Sequence, residues 1–322
     1  MAQYDGSEIR RDYRTGFFSI IVPGRSQRPH ELEEDRGAQD LSKCPFEPQN
    51  IEENLKIMHV GEPWEIMTIK NKFPELNGGT PLDKKSGFLS SISGYGYNEV
   101  VIESPDHNLK LENMDIKHLD KWLGVLIERE EQLYSRNYIK YVQIFRNFGA
   151  DAGASIGHPH TQIMAWPVII GNIKRRAKIT SSYRLKKGSC IYEDAIKIEE
   201  PRRLYENGSF SSFAPFASRM TAESIIIPKR HVSSLIELSQ KEREDLLDEF
   251  KRIISINKAI FGGHSYNILF YELKKNEDFH MHFEIYPRLS TLAGVELGQN
   301  VFVNTIEPEK YSQDFRARLG SV

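Results

Sequence analysis

Twice along this chain a strand-like run leads to a lone histidine, an amphipathic helix, a second strand-like run and a His-x-His triplet. In the first copy Glu99-Val-Val-Ile-Glu-Ser-Pro leads to His107. Ile116, Leu119, Leu123 and Leu126 follow at helical spacing, then Tyr141-Val-Gln-Ile-Phe, then His158-Pro-His160. In the second copy Glu223-Ser-Ile-Ile-Ile-Pro leads to Lys229 and His231. Ser239 and Glu242 form a capping box, which satisfies two backbone donors at a helix start. That helix carries Leu246, Leu247, Phe250, Ile253 and Ile254 on one face, and Tyr266-Asn-Ile-Leu-Phe-Tyr precedes Phe279-His280-Met-His282. His107 precedes His160 by 53 positions, and His231 precedes His282 by 51.

A unit repeated at this length predicts two similar folding units in one chain. The helices are too few for a doubly wound parallel sheet. The expected class is α+β, with antiparallel sheets and helices packed on one face. The expected division is a first unit over 1–170, a second over 206–322, and a crossover or linker over 171–205. That connecting stretch is rich in lysine and arginine and without clear periodicity, so it reads as a solvated segment with no functional signal. Its Cys190 reads as a small buried side chain.

Charge excludes some functions. With 43 Lys and Arg against 45 Asp and Glu, the net charge is -2, which argues against bulk electrostatic binding to nucleic acid or a membrane surface. Any anion must be held by a few placed groups. No apolar run approaches the ~18 to 20 residues needed to span a bilayer. Met1-Ala-Gln-Tyr-Asp lacks the basic-then-apolar pattern of a signal peptide. Two cysteines, Cys44 and Cys190, are too few for a disulfide framework and fit a reducing, cytoplasmic setting.

The chemistry concentrates in residues 157–167, Gly-His-Pro-His-Thr-Gln-Ile-Met-Ala-Trp-Pro. Proline fixes its own φ and pushes the preceding residue toward extended geometry. In a strand, side chains at i, i+2 and i+4 share a face, so His158, His160 and Gln162 are expected to point the same way. Two imidazoles and one neutral amide on a common face suggest catalysis more than packing.

These residues, with Arg11-Asp-Tyr-Arg-Thr-Gly, Arg25-Ser-Gln-Arg28-Pro, and His280-Met-His282 followed by Ala293-Gly-Val-Glu296, resemble the galactose-1-phosphate uridylyltransferases and their relatives acting on ADP-sugars, within the histidine-triad superfamily. The resemblance runs from about Arg10 to Phe315. It implies that His160 is a nucleophile attacking the α-phosphorus of a nucleotide sugar to form a nucleotidyl-histidine. A neutral imidazole is a competent nucleophile near pH 7. The other ring nitrogen needs an acceptor to fix the tautomer, and a backbone carbonyl is expected. Hydrolytic members of the superfamily carry histidine where Gln162 stands. An amide donates hydrogen bonds but no proton, which favours transfer over hydrolysis.

The same resemblance implies that Arg25 and Arg28 reach phosphates from a partner subunit, arginine suiting bidentate phosphate contact, so a homodimer is expected. It implies phosphate and nucleotide contacts from Asn147 and Ser155, with the glycines and alanines of 149–157 allowing close backbone approach. It places Asn71 and Lys72 along the ribose and base, and Glu296 at the sugar hydroxyls. UDP-glucose–hexose-1-phosphate exchange ranks first. An ADP-sugar or dinucleoside-polyphosphate phosphorylase ranks second, ahead of a non-catalytic nucleotide-sugar sensor or a metal-dependent hydrolase.

One structural zinc site is implied at Cys44, Glu47, His107 and His158, with Glu47 in place of the second cysteine; carboxylate oxygen is an accepted zinc ligand. A second family metal site near the later His-x-His is expected to be absent or degenerate, because its remaining positions fall on Tyr271 and near Arg176. His280 and His282 are therefore expected to pack the second copy.

Overall fold

The computed structural model describes residues 7–23, 41–274 and 276–321. Arg25 and Arg28 lie outside these residues. Fifteen strands and six α-helices are described. The strands are β1 (Glu8–Arg11), β2 (Phe18–Ile21), β3 (Lys56–Val60), β4 (Ile66–Lys70), β5 (Lys84–Lys85), β6 (Ser91–Ile92), β7 (Tyr97–Ile102), β8 (Tyr141–Phe148), β9 (His160–Trp166), β10 (Arg203–Glu206), β11 (Phe210–Phe213), β12 (Ser224–Pro228), β13 (Tyr266–Tyr271), β14 (His282–Pro287) and β15 (Val301–Asn304). The helices are α1 (Ile116–Tyr134), α2 (Gly171–Lys187), α3 (Ile191–Ile198), α4 (Gln240–Phe261), α5 (Gly294–Gln299) and α6 (Pro308–Arg316).

Ten strands form one sheet in the order β10-β11-β12-β14-β13-β8-β9-β7-β4-β3, and every neighbouring pair is antiparallel. The order is palindromic about the β13–β8 pair: β9 has its counterpart in β14, β7 in β12, and α1 in α4. The repeat seen in the sequence is thus a pseudo-two-fold within a continuous sheet, and the α+β class holds.

Strand alternation sorts the side chains. Val101, Ile163 and Ile144 face one core beneath α1 and α4, where Trp122 meets Phe270 and Phe250 meets both Phe270 and Phe283. Val100 and Ile102 face the opposite side and pack with Cys44, Phe46, Ile51, Met67 and Ile69. The matching face of the second half packs Cys190, Ile191, Tyr192 and Ala195 against Ile225 and Ile227. Both long helices are capped at their starts. Asp115 accepts from the His118 N–H at 2.7 Å, and Ser239 and Glu242 form the expected capping box.

The connecting stretch departs from expectation, because it folds into α2 and α3. The buried residues of α2 are Ile173, Arg176 and Thr180, so its inward face is largely polar and left no apolar period in the sequence. The reason is a buried ion cluster. Arg176 donates to both oxygens of Glu284 at 2.9 Å, and Arg219 donates to Glu284 at 2.9 Å. Arg14 donates to Asp12 at 3.0 Å, to Glu223 at 2.8 Å, and to Glu284. Three guanidinium groups meet three carboxylates, which satisfies a charge balance that burial demands. This cluster seats the turn between β1 and β2 on the second half of the sheet.

Candidate active site

His160 opens β9, and its side chain lies in a cavity of about 540 Å³ that Asn71, Lys72, Asn147, Ser155 and Gln162 also line. That volume is ordinary for a small-molecule site. Phe145 and Gln162 are register partners across β8 and β9, and Val100 pairs Gln162 across β7 and β9. The cavity floor is therefore four adjacent strands, β8, β9, β7 and, through Ile69, β4. A separate cavity of about 590 Å³ between the first turn and α2 and α3 contains neither histidine nor cysteine, so size alone does not locate the chemistry.

The His160 Nδ1–H donates to the carbonyl of His158 at 2.8 Å, as the tautomer requirement anticipated. The lone pair is then on Nε2. Burial pushes the imidazole pKa down, against the main-chain carbonyl of His158 that favours the charged ring. The Phe46 ring stands edge-on to His160 at 5.1 Å and carries no polar atom. Beneath β9, Thr161 Oγ1 donates to Glu103 at 2.7 Å, and Arg146 donates to the same carboxylate at 2.8 Å and to the Tyr266 hydroxyl at 2.8 Å. A buried, satisfied network thus fixes the strand that presents His160.

Glu296 caps its own short helix, accepting from the Ala293 N–H at 2.9 Å, and does not line this cavity. Lys72 pairs Glu52 at 2.6 Å at the rim.

Cys44, Glu47, His107 and His158 converge, their donor atoms all within 4.8 Å of one another. Cys44 Sγ lies 3.9 Å and Glu47 Oε1 3.4 Å from His158 Nδ1, and Glu47 Oε1 lies 2.8 Å from His107 Nδ1. The Nε2–H of His158 donates to the Ser104 carbonyl at 2.7 Å, which leaves Nδ1 as the ligand atom. One thiol, one carboxylate and two imidazoles at these separations suit tetrahedral zinc.

A second group has the same composition: Cys190, Glu193, His231 and His280. Cys190 Sγ is 3.4 Å from His280 Nδ1, Glu193 is 3.2 Å from His231 Nδ1, and the Nε2–H of His280 donates to the Pro228 carbonyl at 2.9 Å. His280 is buried as expected, yet it also joins a set of donors that could hold a metal ion, two of which, Cys190 and Glu193, come from the connecting stretch. Its sequence signal was available, since Cys190-x-x-Glu193 repeats Cys44-x-x-Glu47.

His282 follows the expectation of packing. Its Nδ1 bonds the His280 carbonyl at 3.0 Å, as in the first copy. Its Nε2, however, accepts from Arg176 Nη1 at 3.0 Å and from the Tyr192 hydroxyl at 3.2 Å. Tyr192 and Tyr271 stack on its two faces. Glu284 takes the place of Gln162. The second copy is closed: its carboxylate holds guanidinium groups of its own chain where the first presents a neutral amide to an open cavity.

A model of the galactose-1-phosphate uridyl transferase N-terminal domain matches residues 5–169. This chain belongs to that family. A model of a domain of unknown function matches residues 106–322. Among members of the transferase family, the chain is 30% identical to the galactose-1-phosphate uridylyltransferase of Thermotoga maritima, over 85% of this chain and 92% of that one. It is 29% identical to the ADP-glucose phosphorylase of Arabidopsis thaliana, over 96% of this chain and 92% of that one. The solved Arabidopsis thaliana ADP-glucose phosphorylase with bound ADP-glucose superposes with a TM-score of 0.84 at 27% identity, covering 97% of this chain and 99% of that one. A uridylyltransferase structure superposes with a TM-score of 0.78 at 27% identity, covering 98% and 99%.

Proposed function

We propose that this nucleotidyltransferase works by ping-pong exchange through His160, moving a nucleotidyl group between a nucleotide sugar and hexose 1-phosphate. The observation that carries the reading is an imidazole whose Nδ1 is bonded to a main-chain carbonyl, so that its free Nε2 lies in a cavity beside a neutral amide. Nε2 attacks the α-phosphorus; the P–N bond forms and the P–O bond to the β-phosphate breaks. The hexose 1-phosphate leaves as a stable anion and needs no proton. Gln162 donates hydrogen bonds to phosphoryl oxygens and supplies no general base for water. The acceptor's phosphate oxygen then reverses the step.

Zinc at Cys44, Glu47, His107 and His158 would tie the 44–47 loop to His158, whose carbonyl orients the nucleophile and whose neighbour Phe46 packs on it. The second cluster offers the same donors. Arg25 and Arg28 are assigned to substrate phosphates, reaching across a homodimer; Glu296 caps its own helix outside the His160 cavity and is given no substrate contact within this chain.

UDP-glucose–hexose-1-phosphate uridylyl transfer is the first assignment. The superposition on ADP-glucose phosphorylase favours a second, in which inorganic phosphate collects an adenylyl group. Incubating the protein with UDP-glucose or ADP-glucose under mildly alkaline conditions and weighing it intact separates them. A UMP adduct supports the first and an AMP adduct the second. Product release without acceptor and without any adduct contradicts both.

A further inference from the structure

Across the pseudo-two-fold, the closed second half touches a residue that lines the open site. β8 and β13 pair at the pseudo-two-fold, with Asn147 directly opposite Asn267. Asn267 Nδ2 donates to Asn147 Oδ1 at 2.8 Å and to the Ala152 carbonyl at 2.8 Å. Asn147 lines the cavity that holds His160 and Gln162.

We propose that Asn267 is a positioning residue that turns the Asn147 amide so that its NH2, not its carbonyl, meets a phosphoryl group beside His160. The proposal rests on the transferase reading of the cavity. A main-chain carbonyl only accepts, so Ala152 fixes which end of the Asn267 amide is the donor. Both Asn267 N–H groups are then committed, and Asn147 must answer with its oxygen. What Asn147 has left is a donor. Turned over, it would present a carbonyl oxygen to an anion and repel it. One hydrogen-bond relay thus sets the polarity of the site from a main-chain carbonyl 2.8 Å away from Asn267.

The same contact holds the 150–152 turn against the second half. Gly149, with φ +81°, lies so near Ser265 that a Cβ would fall 2.2 Å from its Oγ. Asn267 therefore acts on both the amide and the turn that borders the cavity, and no periodicity in the sequence marks it.

The test uses the full chain and two readouts. The first is the rate of nucleotidyl-enzyme formation at saturating UDP-glucose or ADP-glucose, by quenched intact mass. The second is equilibrium binding of UMP and AMP by calorimetry, which needs no covalent step. Asn267→Ala is expected to slow loading about tenfold and weaken nucleotide binding, part of the ~10²–10³ that loss of a transition-state donor costs. Asn267→Asp, which cannot donate and repels the Asn147 oxygen, is expected to do worse, and Asn267→Ser to recover part of the loss. In an Asn147→Ala background the further change Asn267→Ala should cost clearly less than it does in the wild type, because the amide it orients is gone and only its hold on the turn through the Ala152 carbonyl is left. Wild-type loading and binding in Asn267→Ala and Asn267→Asp, or full multiplication of losses in the double variant, overturns the proposal. If the wild type binds nucleotide but never loads, the nucleophile reading fails, and the binding series still decides the role of Asn267.

Discussion

At position 46 a phenylalanine ring lies edge-on to His160, whereas at the matching position 192 a tyrosine hydroxyl reaches the Nε2 of His282. The two histidines share the same backbone anchor, so their difference is made by what caps the free nitrogen. Phe46→Tyr adds the cap to the first copy. A hydrogen bond to the lone pair is worth ~1 kcal/mol, so adduct formation is expected to fall about fivefold with the fold intact; an unchanged rate would show that the hydroxyl does not reach. Gln162→Glu imposes the second copy's charge on the first. A carboxylate facing phosphoryl oxygens removes a donor and adds repulsion, and a loss of the order of 10² in turnover is expected from steady-state kinetics.

Helix α4 buries Glu249 completely, and burial pushes its carboxyl pKa up to about 8. Because the folded value is raised above the unfolded ~4.3, the stability this group supports is full below that pH and is lost as pH rises through about 8. Thermal midpoints of the wild type are expected to drop by a few degrees more than those of Glu249→Gln between pH 5 and 9. Parallel curves would mean the carboxyl ionises freely. The elements also show what the sequence made legible. α1, α4 and the strands around His160 were readable because their buried faces are apolar at regular spacing. The helix α2 was not, because Arg176 and Thr180 occupy its inward side and the partner of Arg176, Glu284, is distant in sequence. The first Cys-Glu-His-His set was readable by resemblance. The second was missed because Cys190 lies in that unread segment. Asn267 was invisible, since a single amide acquires meaning only from the residue across the strand.

Across the whole molecule, the pseudo-two-fold relates one open and one closed half on a shared ten-stranded sheet. The closed copy uses its catalytic-type positions to bind arginines of its own chain, and so holds the turn that leads toward Arg25 and Arg28. Both copies keep a cluster fit for metal. Chelation is expected to lower the thermal midpoint, and Cys44→Ala to lower bound zinc by elemental analysis and to slow transfer without abolishing it. Zinc content and midpoint unaffected by either change would remove the structural role.

The twin histidines allow the most direct measurement. After loading with nucleotide sugar, peptide mapping under alkaline conditions should find the phosphoramidate on His160 and none on His282. His160→Gly should load nothing, yet regain transfer with added imidazole. A nucleotide on His282, or wild-type transfer in His160→Ala, would contradict the account.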